Sequence, residues 1–394
     1  MPYAPFPRVR RRTLRRHWHP TPAPRHGASR RTHRPHTPVP RAWGTPALRA
    51  RTLGAVKVFL PGTAGGTGWP EPGCRCASCR RLPAGRRRPF EMVVDGVARL
   101  PFLAPPPGYR AFAGGHGLEG PDGTRVLRVP PGAYPDGVEG RCDLLLIDLL
   151  DRPERLGLLR RDGVADRDTL VVAVGLDHRA RSEEELARRL SLWGAHAVPD
   201  GTTLDTASPA ALPLTRRPPE KGPWRELVLG GSRSGKSAEA EIRLAGEPYV
   251  TYVATGPGGE GDAEWAARID AHRERRPAHW ATLETTDLAG VVRDATTPLL
   301  VDGLGTWLAA VFDEHAAWEG DRAAVWRRCD ELVAAWRGAG RRIVAVSDEV
   351  GMGVVPATPS GRAFRDALGR LNERLAAESE DVALVVAGRV LPLP

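Results

Sequence analysis

Eight residues constrain this chain more than any others: Gly230-Gly231-Ser232-Arg233-Ser234-Gly235-Lys236-Ser237. They fit the pattern G-x-x-x-x-G-K-[ST] and stand between a short apolar run at 226–229, which reads as a strand, and a helix-period stretch at 237–245. A strand that turns through such a loop into a helix aims the helix's free N–H groups at the loop's contents, and that arrangement favours an anion. The glycines let backbone N–H groups turn inward on phosphate oxygens. Lys236 neutralises β- and γ-phosphate charge, and the Ser237 hydroxyl can hold Mg²⁺. Arg233 either adds charge or points to solvent. The plain alternative is a Gly-rich turn with an exposed lysine.

The surrounding pattern supports the loop. Strand-like runs at 226–229, 249–254, 298–301, 342–347 and 382–387 alternate with helix-like stretches at 237–245, 263–275, 321–338 and 361–379. Such alternation predicts a mostly parallel sheet with helices on both faces. A nucleotide loop also needs an acidic side chain at the end of a neighbouring strand, and Leu299-Leu300-Val301-Asp302 offers one. Asp302 is the candidate for Mg²⁺ or its waters, the alternative being a turn aspartate before Gly303. These features support an enzyme or switch that uses ATP or GTP, and they say nothing of the acceptor.

Four segments divide the 394 residues: a tail at 1–53, a first folded region at 54–212, a linker at 213–223 and the P-loop domain at 224–394. The tail mixes Arg and Pro, and its prolines forbid sustained helix or central strand, so disorder is expected. Residues 1–55 hold thirteen arginines and no acid, so the net charge of +10 becomes −3 over the remaining 339 residues. The charge therefore reads as a solvated tail, or as a basic arm for nucleic acid or acidic lipid, and not as a property of the folded body. No run of 18 apolar residues is present, so no membrane span is expected. Five cysteines, three of them within Cys74 to Cys79, do not form a disulfide framework and suit a reducing, cytoplasmic setting. In the first region, strands are expected at 55–60, 91–94, 126–129, 143–150 and 169–174. A helix is expected at 182–193, with Ser182 as its cap and Glu185 at the capping-box spacing.

Five ordered blocks then carry a specific likeness. They are Gly230 to Ser237; Tyr252-Val253-Ala254-Thr255; Arg268-Ile269-Asp270-Ala271-His272-Arg273 continuing to Arg276-Pro277-Ala278-His279-Trp280; Ser347-Asp348-Glu349-Val350-Gly351-Met352-Gly353-Val354-Val355-Pro356; and Phe364-Arg365-Asp366 with Gly369 to Leu375. Together they resemble the bifunctional adenosylcobinamide kinase / adenosylcobinamide-phosphate guanylyltransferase family of cobalamin biosynthesis, over residues 226–389. The resemblance implies a RecA-like P-loop fold and a typical trimer. It also implies two reactions, phosphorylation of adenosylcobinamide by ATP or GTP and then transfer of GMP from GTP through a guanylylated histidine. That histidine falls on His272, whose neutral imidazole is a competent nucleophile near pH 7. Trp265, Ile269 and His272 share a helix face, so a buried structural histidine is the competing reading. His279 is rated structural or substrate-adjacent, and Arg273, Arg275 and Arg276 either clamp phosphates or face solvent. Glu349 and Asn372 carry over as site-lining residues. The chain departs from the family in having Asp348 where Asn is frequent, and an acid other than Asp can occupy the position of Asp302.

The first region, through Leu60-Pro61-Gly62-Thr63-Ala64-Gly65-Gly66 and the cysteine trio, resembles the opening of certain metallo-β-lactamase-fold hydrolases. That resemblance implies a structural zinc on Cys74, Cys76 and Cys79, with His178 or His196 as a fourth ligand; free thiols are the alternative. The catalytic H-x-H-x-D-H signature is absent, so a shortened, catalytically silent α+β remnant is expected. Cys142 and Cys329 read as core. The competing functions are a small-molecule P-loop kinase of other specificity and a nucleotide-regulated RNA-binding module.

Overall fold

The computed structural model describes residues 56–132, 137–207, 224–256 and 276–394. The expected tail, the linker at 213–223 and the helix-period stretch at 263–275 lie outside the described residues. The described residues all fall within one compact unit.

The first region runs β1 (Lys57–Gly62), β2 (Glu91–Val94), β3 (Ala98–Arg99), β4 (Arg110–Phe112), β5 (Gly117–Glu119), β6 (Arg125–Arg128), β7 (Leu144–Ile147), α1 (Glu154–Arg161), β8 (Leu170–Ala173), α2 (Glu183–Trp193) and β9 (Thr202–Asp205). These strands build two sheets, in the orders β3-β2-β1-β9 and β4-β5-β6-β7-β8. Val58, Leu60, Met92 and Val94 of the first sheet share a core with Leu118, Val126, Leu144, Leu146 and Val172 of the second. Alternate residues of the second sheet, Leu127, Leu145, Ile147, Val171 and Ala173, face the other way onto Leu156, Leu159, Leu186, Leu190 and Trp193 of the two helices. Burial on both faces is why β7 reads as an unbroken apolar run. The capping expectation for α2 holds: the Ser182 side chain accepts from the Glu185 N–H, and Gly194 ends the helix at φ 63°.

After residue 224 the order is β10 (Trp224–Gly230), α3 (Lys236–Leu244), β11 (Thr251–Ala254), β12 (Ala281–Glu284), α4 (Leu288–Arg293), β13 (Leu299–Asp302), α5 (Leu304–Glu314), α6 (Ala323–Arg337), β14 (Arg342–Asp348), α7 (Pro359–Ala377), β15 (Asp381–Val386) and β16 (Arg389–Leu393). The sheet order is β12-β11-β13-β14-β10-β15-β16. All neighbours are parallel except the last pair. Leu227, Val253, Val301 and Ile343 bury one face against Trp307, Phe312, Leu332, Trp336 and Leu371 of α5 to α7. Val228, Tyr252, Leu300 and Val344 bury the other against Ala240 and Leu244 of α3. The expected mostly parallel sheet with helices on both faces is what forms.

Four elements of this region, β12, α4, α5 and β16, escaped the sequence pattern, and α5 and β12 did so for opposite reasons. The helix α5 buries Leu304, Trp307, Leu308, Val311 and Phe312, so much of its circumference is apolar and its period is blurred. The edge strand β12 exposes all four residues, and its short run offers only Ala281 and Leu283 as an apolar signal.

An ionic cluster lies under the N-terminal end of β10. Glu226 is 1% exposed and accepts from Arg342 Nε and from an Arg243 Nη1 donor, both at 2.7 Å. Arg243 also meets Asp381 at 2.8 Å and Glu239 at 3.2 Å, and Arg342 meets Glu247 at 2.9 Å. These pairs tie α3 to three strands of the sheet, with each buried charge opposed by several partners. The same helix is the seam with the first region. Arg188 of α2 grips Glu239 through two bonds of 2.8 and 3.1 Å, and Trp193 Nε1 donates to Ile242 O at 2.7 Å.

Candidate nucleotide site and a cysteine–histidine centre

The loop from Gly230 to Ser237 sits at the carboxyl end of the interior strand β10, where ligands bind in open α/β sheets. Gly230 is demanded by packing: a Cβ there would lie 2.5 Å from Ser234 Oγ and 2.7 Å from the Val385 carbonyl. Gly235 has φ 98° and turns the chain directly into α3. Gly231, Ser232 and Arg233 are exposed, and Arg233 takes a left-handed φ of 56°. Ser234 Oγ is buried and has no hydrogen-bond partner, so the loop retains an unused polar group at its centre.

Lys236 is 7% exposed. Its Nζ donates to Gly231 O at 3.2 Å and pairs with Asp348 Oδ1 at 2.8 Å. Ser237 Oγ donates to Asp302 Oδ1 at 3.1 Å. The structure thus brings together the loop, Lys236, Ser237 and Asp302. Glu349 is also here, since its N–H donates to Gly230 O at 3.1 Å, though its carboxylate accepts from the Gly351 N–H at 2.7 Å. Asn372 is 4% exposed and buttresses the site from beneath, accepting from Ser347 Oγ at 2.6 Å and donating to the Asp348 carbonyl at 3.1 Å. His272 lies outside the described residues. His279 sits against the backbone of Glu247, and burial pushes its pKa down.

Residues that the sequence reading passed over hold the carboxylates in place. Tyr252 OH donates to Asp302 Oδ2 at 2.5 Å. Burial first, and then the Asp302 charge, push the phenol's pKa well above its ordinary range, so it remains a donor. The Arg276 guanidinium stacks 3.5 Å over the Tyr252 ring. Thr255 and Thr306 hydroxyls both donate to Gly303 O at 2.7 Å and fix the turn after Asp302. The available signal was topological: β11 and β13 pair in parallel with Ala254 opposite Asp302, so their carboxyl ends converge. Asp348 is brought in by the same geometry at the end of β14.

A second cluster lies in the first region. Donor atoms of Cys74, Cys76, Cys79 and His178 all fall within 4.8 Å of one another. The His178 Nδ1 atom is 3.7 Å from Cys74 Sγ and 3.6 Å from Cys79 Sγ. A tetrahedral zinc with Zn–S bonds of about 2.3 Å spaces its ligands by about 3.8 Å, so this donor set suits that ion. Of the two histidines considered from sequence, His178 joins the trio. Burial pushes the Cys79 thiol up to about 11, while the Cys79 N–H lowers the exposed Cys76. Cys142 and Cys329 are buried core thiols, as expected, and all five cysteines are free.

A glycine-rich strand-to-helix loop whose lysine and serine face carboxylates at the ends of two parallel strands of the same sheet defines a P-loop nucleotide-using enzyme. Comparison with known proteins makes the class particular. Residues 226–393 match the family described as "Cobinamide kinase / cobinamide phosphate guanyltransferase". The bifunctional adenosylcobalamin biosynthesis protein CobU of Salmonella typhimurium is 40% identical over 178 residues, covering 41% of this chain and 95% of that protein. CobP of Pseudomonas aeruginosa, a bifunctional adenosylcobalamin biosynthesis protein, is 42% identical over 177 residues, covering 43% and 96%. CobU of Escherichia coli K12 is 37% identical over 178 residues, covering 41% and 95%. The chain belongs to this family, and its C-terminal region is a bifunctional cobinamide kinase / cobinamide phosphate guanylyltransferase of adenosylcobalamin biosynthesis. The family match begins at residue 226, after the first region. Among solved structures, the flagellar accessory protein FlaH of Methanocaldococcus jannaschii aligns over 42% of this chain and 74% of its own at 10% identity, with a TM-score of 0.24, too low to carry an argument.

Proposed function

We propose that one site built on the 230–237 loop serves both reactions, with the following division of labour. The loop N–H groups and Lys236 hold the triphosphate, and Lys236 leaves Asp348 for the phosphates as nucleotide enters. Ser237 and Asp302, a hydroxyl and a carboxylate 3.1 Å apart, are the pair that would hold Mg²⁺, which supplies charge neutralisation on the phosphates. Tyr252 keeps the Asp302 carboxylate oriented. In the kinase reaction the terminal hydroxyl oxygen of adenosylcobinamide bonds to the γ-phosphorus of ATP or GTP, the bond from that phosphorus to the bridging β-phosphate oxygen breaks so that ADP or GDP leaves, and the hydroxyl proton passes to solvent. In the second reaction a nitrogen of His272 bonds to the α-phosphorus of GTP and pyrophosphate leaves. The phosphate oxygen of adenosylcobinamide phosphate then displaces the imidazole, giving adenosylcobinamide-GDP and free histidine.

The observation that carries this reading is the Lys236–Asp348 and Ser237–Asp302 pairing at the sheet's carboxyl edge, inside a domain of matched family. The test is turnover of adenosylcobinamide with GTP and Mg²⁺, followed by mass spectrometry. Successive appearance of the phosphate and of adenosylcobinamide-GDP is expected; absence of both would sink it. Further expectations are a cytoplasmic enzyme and a trimer, the latter from the family resemblance. Among the described residues no helix is long and apolar enough to cross a membrane. In the first region, the two facing sheets support the reading of a metallo-β-lactamase-like remnant. Cys74, Cys76, Cys79 and His178 are the residues that would hold one structural zinc.

A further inference from the structure

The first region touches the phosphate loop itself. Arg181 precedes the Ser182 cap of α2, and its guanidinium Nη1 donates to the carbonyl of Gly388. Gly388 stands in the β15–β16 turn with φ 70°, and its N–H donates to the carbonyl of Ser234 at 2.7 Å. A Cβ on Gly235 would lie 3.4 Å from Gly388 Cα, so turn and loop are in direct packing. One residue, Gly388, therefore links an arginine of the first region to the centre of the loop through its carbonyl and its N–H.

The segment bearing Arg181 is fixed from the other side by the cysteine–histidine centre. His178 stands three residues earlier. Ser78, inside the cysteine loop, donates to the Ala180 carbonyl at 2.6 Å and accepts from the buried indole of Trp69 at 3.2 Å. Ala180 is itself fully buried. Further along the seam, Arg188 on Glu239 and Trp193 on Ile242 O hold the helix that begins at Lys236. The first region thus grips the loop and then the loop's helix at two more points.

We propose that the first region braces the phosphate loop: Arg181 is a positioning residue for nucleotide binding, acting on Ser234 through Gly388, and the Cys74/Cys76/Cys79/His178 centre sets the segment from which it reaches. The second half rests on the zinc reading above. A carbonyl that loses its guanidinium donor frees the turn, and the turn's N–H no longer holds Ser234 where the inward-facing loop amides need it. One charge-assisted bond of this kind sets an expected effect of roughly tenfold in nucleotide affinity.

The experiment titrates the full-length chain with the fluorescent nucleotide mant-ATP and records thermal unfolding alongside. Arg181→Ala should raise Kd roughly tenfold at an unchanged melting temperature, since its side chain is 41% exposed. Arg181→Lys, which keeps a cationic donor, should recover most of the loss. Stripping zinc from the parental chain with a chelator should raise Kd comparably, zinc re-addition should reverse it, and stripping should add little to Arg181→Ala. An Arg181→Ala chain that binds mant-ATP with the parental Kd overturns the brace. A stripped chain that binds as before overturns the metal's part in it, as does a parental chain that holds no zinc by elemental analysis. The titration needs no corrinoid, so failure of adenosylcobinamide turnover in a chain that binds mant-ATP refutes the assignment of substrate and leaves the brace to be decided by these values.

Discussion

The Lys236–Asp348 pair offers a double-mutant cycle with a sign that the site geometry fixes. The lysine Nζ lies 2.8 Å from Asp348 Oδ1 and its side chain is 9% exposed, whereas that of Asp348 is 40% exposed. Lys236→Ala removes the cation that phosphates would meet and costs about 3 kcal/mol, or two orders of magnitude in Kd for mant-ATP. It also leaves the Asp348 carboxylate facing those phosphates uncompensated. Two unit charges 4 Å apart interact by about 4 kcal/mol at an effective dielectric of about 20. Solvent access to Asp348 reduces this to about 1–1.5 kcal/mol, roughly tenfold in affinity. Asp348→Asn should therefore recover roughly tenfold in the Lys236→Ala background. In the parental chain it should tighten binding a few-fold, because the lysine no longer has to leave a partner. The assay is a mant-ATP titration of all four chains at one ionic strength. A change below twofold on Asp348→Asn in both backgrounds would show that this carboxylate does not face the phosphates.

Stability changes are expected along β10 and its loop. Glu226→Gln leaves Arg243 and Arg342 short of a buried counter-charge, and should lower the free energy of unfolding by about 3 kcal/mol, the low end for breaking a buried pair because Asp381, Glu239 and Glu247 remain. A loss below about 1 kcal/mol by chemical denaturation would contradict the cluster's role. Gly230→Ala should cost about 1–3 kcal/mol, since the Val385 carbonyl 2.7 Å from the new methyl is held in the sheet. Gly231→Ala, which meets nothing within 4 Å, should melt with the parental chain.

Much of the site was legible because its chemistry is local. The loop's residues are consecutive, and Asp302 ends an apolar run whose burial makes it a strand. What stayed hidden depends on strands far apart in sequence. Tyr252 reaches Asp302 only because β11 and β13 are parallel neighbours, and Asp348 reaches Lys236 only because β14 adjoins β10. Glu226 looked like a polar residue at a strand's start; its burial needs two arginines 17 and 116 positions away. The cysteine trio was visible for the same local reason as the loop, whereas the choice of His178 over His196 required the fold. Arg181 carried no signal at all, because its role lies in a turn 207 residues downstream.

The central claim is that this chain carries a nucleotidyl group on a histidine before passing it to a corrinoid phosphate. The direct measurement is incubation of the full-length chain with GTP labelled at the α-phosphorus and Mg²⁺, followed by denaturation and acid or base treatment. One acid-labile, base-stable label per active site is expected, lost in His272→Ala and released as adenosylcobinamide-GDP when adenosylcobinamide phosphate is added. A chain that binds GTP yet never becomes labelled, or that is labelled equally well without His272, would contradict the account.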